Sequence, residues 1–92
     1  MATVDITLTN VWQLAHLAAA DNTNVVLTPQ GKDIDWAIDT STPSESLSGH
    51  NLSQAGMVND NYRDRGFVLM AGEGLYVRGS SNLIVAMTVA TA

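Results

Sequence analysis

The chain has 92 residues, 46% hydrophobic and 14% charged, with a net charge of −5 and no cysteine. A single domain over residues 1–92 excludes a deep two-domain cleft, and four Lys and Arg against nine Asp and Glu exclude a nucleic-acid interface or an anionic membrane surface, which need clustered cations. The missing cysteines exclude a disulfide framework and a thiolate nucleophile, and burial at this length roughly balances the ordering cost, so a partner surface helps the fold.

In chain order, Val4, Ile6 and Leu8 alternate with Asp5, Thr7 and Thr9, the period-two pattern of a half-buried strand. Residues 11–20 fit two readings. Val11, Leu14, Ala15 and Ala18 share a helix face that Asn10 and Gln13 can cap, while Trp12, Leu14 and His16 fit a strand. Asp21-Asn22-Thr23-Asn24 is a turn cluster, and Val25 to Thr28 is a short β-branched run closed by Pro29-Gln30-Gly31. Ile34, Trp36 and Ile38 alternate with Asp33, Asp35, Ala37 and Asp39, which gives a strand with one apolar and one acidic, solvated face. Thr42-Pro43-Ser44-Glu45 reads as a helical first turn within 42–47 that Ser46, Ser48 and Gly49 keep short.

His50 to Ser53 is a brief strand candidate, and Gln54 to Asp64 an exposed loop. Arg65 to Met70 and Leu75 to Arg78 read as strands joined by a hairpin turn at Ala71-Gly72-Glu73-Gly74. Gly79-Ser80-Ser81-Asn82 is a second tight turn before a closing strand, Leu83 to Ala90. The pattern predicts an all-β fold: one small antiparallel β-sandwich, jelly-roll or immunoglobulin-like, of about seven to eight short strands, with helical turns possible only near 11–20 or 42–47. Nine Thr, seven Ser and seven Asn carry the polarity, which suits β-structure and protein–protein contact. The opening Met1-Ala2-Thr3-Val4-Asp5 lacks the basic and apolar regions of a signal peptide. No apolar run is long enough for a membrane span. The expected setting is a cytoplasm, or a particle assembled there.

The side chains name no reaction. His16 and His50 stand far apart, with no His-x-His pair, so a zinc site has too few ligands. Asp33, Asp35 and Asp39 are numerous enough for calcium but lack the Gly and late Glu of a calcium loop. A solvated strand face explains them. Asn59, Asp60 and Asp64 read the same way beside Arg63 and Arg65. Glu45 and Glu73 lie in turn-forming sequence, and Ser48-Gly49-His50 sits in no nucleophile motif. The expectation is a non-enzyme with no catalytic residue, no metal and no cofactor. Trp36, between two isoleucines, reads as core. Trp12 is open to a second reading, a sugar platform.

Three features occur together: Thr9-Asn10-Val11-Trp12-Gln13-Leu14 followed by Val25-Val26 and Pro29-Gln30-Gly31; a Pro43 loop leading to Gly49-His50-Asn51-Leu52; and the ending Met70-Ala71-Gly72-Glu73-Gly74-Leu75-Tyr76-Val77-Arg78 before a Gly-Ser turn. Together they cover most of the chain, and the whole resembles the small β-sandwich virion proteins of tailed bacteriophages: capsid decoration (cement), head-fibre and tail accessory proteins. Residues 57–66 depart from that pattern as an insertion-like loop. The resemblance implies a structural subunit, often a homotrimer, held on the major capsid protein or another virion protein. It would be located in the virion after assembly in the host cytoplasm. The candidate contact surfaces are the opening strand (Val4, Ile6, Leu8) and the loop with its flank (Met57, Asn59, Tyr62, Arg63, Arg65). The alternatives are a tail or fibre accessory protein, and a small carbohydrate-binding module using Trp12 and Tyr62.

Overall fold

A computed structural model describes residues 2–29, 34–52, 65–79 and 83–91. They form eight strands and no helix: β1 (Ala2–Thr7), β2 (Gln13–Leu17), β3 (Thr23–Pro29), β4 (Ile34–Asp39), β5 (His50–Leu52), β6 (Arg65–Leu69), β7 (Gly74–Gly79) and β8 (Ile84–Thr91). The first sheet has the order β1-β8-β3-β6 and the second β2-β7-β4-β5, with every pair antiparallel.

This order decides between the two sandwiches left open by the sequence. β1 pairs with β8, β2 with β7, β3 with β6 and β4 with β5, so the chain is one long antiparallel hairpin. Rolling that hairpin brings β3 beside β8 and β4 beside β7. This is the jelly-roll connection. In an immunoglobulin sandwich the first two strands are neighbours in one sheet; here β1 and β2 lie in different sheets.

The core lies between the sheets. Leu8, Val25, Leu27, Ile34, Leu69, Leu75, Val77 and Val85 are all buried to 1% exposure or less, and burying each such side chain contributes about 1.5–3 kcal/mol. Trp36 packs against this cluster as expected. Its ring meets Phe67 of the opposite sheet edge-on, with centroids 4.5 Å apart, and stacks on His50 at 4.5 Å.

The structure decides one open reading, keeps one short turn and corrects one hairpin. Within 11–20 the strand reading holds: β2 covers Gln13–Leu17, and no residue of the segment is helical. Gln13 does not cap a helix: its Oε1 accepts the Thr9 N–H at 2.9 Å and its Nε2 donates to the Thr7 carbonyl at 3.2 Å, clipping the β1–β2 corner. β2 then carries a bulge, since Leu14 pairs with Tyr76 and His16 with Leu75, leaving Ala15 as the extra residue. In 42–47 a single turn closes, Leu47 N–H to Ser44 carbonyl at 2.9 Å, and goes no further.

Residues 71–74 do not join a hairpin, because β6 belongs to the first sheet and β7 to the second. The turn crosses between sheets. Gly72, at φ 91°, takes the left-handed conformation it requires. Gly72 N–H donates to the Ala18 carbonyl at 2.6 Å and Ala18 N–H to the Glu73 carbonyl at 2.9 Å, tying the turn to the end of β2.

Candidate functional site

The outer face of the second sheet is only in part the solvated acidic face that alternation in β4 suggests: Asp39 is exposed, but Asp35 pairs with Arg78. Ala37 is buried there with Trp12 and Tyr76 in a second apolar cluster. Residues 42–49 lie against it, and Arg78 of β7 holds them. Its Nη1 donates to the Glu45 carbonyl and its Nη2 to the Leu47 carbonyl, each at 3.0 Å. The Asp35 carboxylate accepts from Nη2 at 3.4 Å. Glu45 works twice, since its Oε2 accepts the Trp12 N–H at 3.1 Å and its Oε1 lies 3.7 Å from Arg78 Nη1. The planar, five-donor guanidinium suits such convergence.

Gly49 closes the arrangement at φ 71°, where a Cβ would stand 2.7 Å from the Trp12 ring and 2.9 Å from the Trp36 carbonyl. Beyond it opens a groove of about 600 Å³ lined by Ala37, Ile38 and residues 46–50. Trp12 is only 5% exposed, with the Arg78 guanidinium over its ring. It therefore offers no platform for a sugar. Among the described residues no group of three His, Asp or Glu is placed to hold a metal ion.

The outer face of the first sheet has another character. The register sets Thr3, Thr88, Val26 and Gly66 in one row. Ala90, Asn24 and Val68 stand on one side of it, and Asp5, Ala86 and Thr28 on the other. Asp5 is the one charged residue in these rows. Val68 is 63% exposed, Val26 37%, and Ile84, opposite Thr7, 45%. Four adjacent strands thus present hydroxyls, methyl groups and amides with almost no charge. Interface centres are depleted of charge in the same way.

The candidate contact residues separate. Leu8 is core, at 1% exposure, because it follows β1 into the sandwich. Ile6 packs partly against that core. Val4, at 49%, stays at the surface of the outermost strand of its sheet. Arg65 opens β6. Met57, Asn59, Tyr62 and Arg63 lie outside the described residues. The sequence pattern does not single out Arg78 as an organising residue. The available signal was its position, the one cation within an apolar strand run, Leu75-Tyr76-Val77-Arg78. Comparison with protein-family models, curated proteins and solved structures finds no match.

Proposed function

We propose that this chain is a non-catalytic structural subunit of a tailed-bacteriophage virion, a decoration protein that seats the outer face of β1-β8-β3-β6 on the major capsid protein. One observation supports contact by this face above all. Four adjacent strands present exposed Val26, Val68 and Ile84 among threonines and alanines, with Asp5 as the one charge in the rows built on them. A sheet face of this kind needs little desolvation of charge to dock on protein. The virion setting follows from the resemblance carried by the Trp12 segment, the Gly49-His50-Asn51-Leu52 segment and the Gly74 to Arg78 ending. Immunogold labelling of purified particles made by the genome that encodes the chain tests it. Regular labelling of heads is expected. Label on tails would move the subunit there, and unlabelled particles would overturn the virion reading.

A further inference from the structure

We infer that the open edge of β1 is a self-association site, where a second copy of this chain adds its own β1 antiparallel across a two-fold axis at Val4. Unpaired strand edges are templates for another strand, and among the described residues the two sheets have four, on β1, β6, β2 and β5. β2 carries the bulge at Ala15, β5 has three residues, and β6 begins Arg65-Gly66. β1 has six residues in unbroken register with β8. Among the described residues no strand pairs with its other side.

The hydrogen-bond phase of β1 is set by its end. The Leu8 N–H donates to the Leu83 carbonyl at 2.7 Å, one step beyond the Thr7–Ile84 pair. Bonded and non-bonded pairs alternate in an antiparallel ladder. Leu8, Ile6 and Val4 therefore turn their backbone groups toward β8, and Thr3, Asp5 and Thr7 turn theirs outward. A second β1 must match those outward groups. One register sets Asp5 against Asp5 of the other copy, with like charges directly opposite. The next sets each Asp5 against Thr3 of the other copy, with Val4 facing Val4 on the axis. The carboxylates then stand diagonally, about 7–8 Å apart, and half-exposed Val4 is covered by its equal. Charge rejects the first register, and a third, with Ile6 on the axis and Asp5 against Thr7, pairs only three residues of β1 where the second pairs five, so charge and overlap together select the second. The first sheets of the two copies become one continuous sheet, which doubles the uncharged outer face.

Such an interface is small and belongs to the weak class. It gives a dimer, in place of the trimer that the resemblance implies, and it stands or falls independently of the virion reading. Cysteine scanning of the full chain tests it, since the wild type has no cysteine. Val4 lies in a non-bonded pair on the axis, with Cα atoms about 4.5 Å apart, within disulfide reach. Val4→Cys is expected to cross-link to a dimer under mild oxidation, and Asp5→Cys to stay monomeric. Asp5→Pro removes an outward N–H that the β8 ladder does not use, as an edge strand tolerates. It should abolish the dimer seen by native mass spectrometry with melting unchanged. Should that variant fail to fold, Val4→Lys provides the same loss. A wild type that stays monomeric or trimeric up to about 1 mM, a preferential Asp5→Cys cross-link, or a dimer that survives both variants overturns the proposal.

Discussion

The guanidinium carbon of Arg78 lies 4.3 Å from the ring centroid of Trp12, and the same group binds the carbonyls of Glu45 and Leu47. One side chain thus caps an indole and fastens residues 42–49, a segment rich in Ser and Thr that lies outside the strands. Arg78 is 16% exposed at its side chain, so these contacts are shielded and exceed surface values. Arg78→Ala should destabilise the domain by about 2–4 kcal/mol, read by urea unfolding. Arg78→Lys should recover less than half, because an ammonium cannot match the planar fork. Equal stability of all three proteins would contradict the anchoring role.

The two positive-φ glycines separate backbone strain from steric exclusion. Gly72, at φ 91°, has nothing within 4 Å of an added Cβ, while Gly49 faces the Trp12 ring and the Trp36 backbone. Gly72→Ala should cost about 1 kcal/mol. Gly49→Ala should cost clearly more, about 3 kcal/mol, because one obstacle is main chain. At about 4–8 °C per kcal/mol for this size, thermal melting resolves the pair. The reverse order would contradict the packing at Gly49.

Neighbouring positions on β6 should respond oppositely. Leu69 is fully buried and Val68 is 63% exposed on the outer face. Leu69→Ala should cost about 3–5 kcal/mol through the cavity it leaves. Val68→Lys should change stability by no more than about 0.5 kcal/mol. Urea midpoints measure both, and a large loss for Val68→Lys would mean that this face is packed and not free for contact.

The aspartates of β4 give a metal-removal prediction. Asp35 is held by Arg78 at 3.4 Å, so it is not available as one of three calcium ligands, and Asp33 lies outside the described residues. Adding a chelator, or millimolar calcium, should leave the melting temperature unchanged. A shift of several degrees would contradict this.

Much of the fold was legible because alternation reports which residues share a face. Ile34, Trp36 and Ile38 face the core as their spacing requires. Alternation does not report what covers the other face. Ala37 and Asp35 looked solvated because the loop that folds over them is far from them in pairing, held by a side chain on β7. Residues 71–74 carried a correct turn signature, but the local chemistry of a tight turn is the same within a sheet and between sheets. The contact with Ala18 that makes it a crossing lies more than fifty residues away along the chain. Residues 11–20 were ambiguous because a bulge at Ala15 breaks the period of two. Of the candidate contact residues on the opening strand, Val4 is exposed and Leu8 is buried by the turn into the sandwich, a difference that alternation alone does not report.

Docking through the outer face of the first sheet, as proposed, is read from the copy number of the chain in gradient-purified particles, wild type against Val26→Lys/Val68→Lys. Both positions face outward beside uncharged neighbours, so two added charges should leave folding intact and make docking unfavourable. Regular, many-copy incorporation of the wild type is expected, with a loss of at least tenfold for a double variant that melts normally. Absence of the wild type from particles, or full retention of the folded double variant, would contradict it.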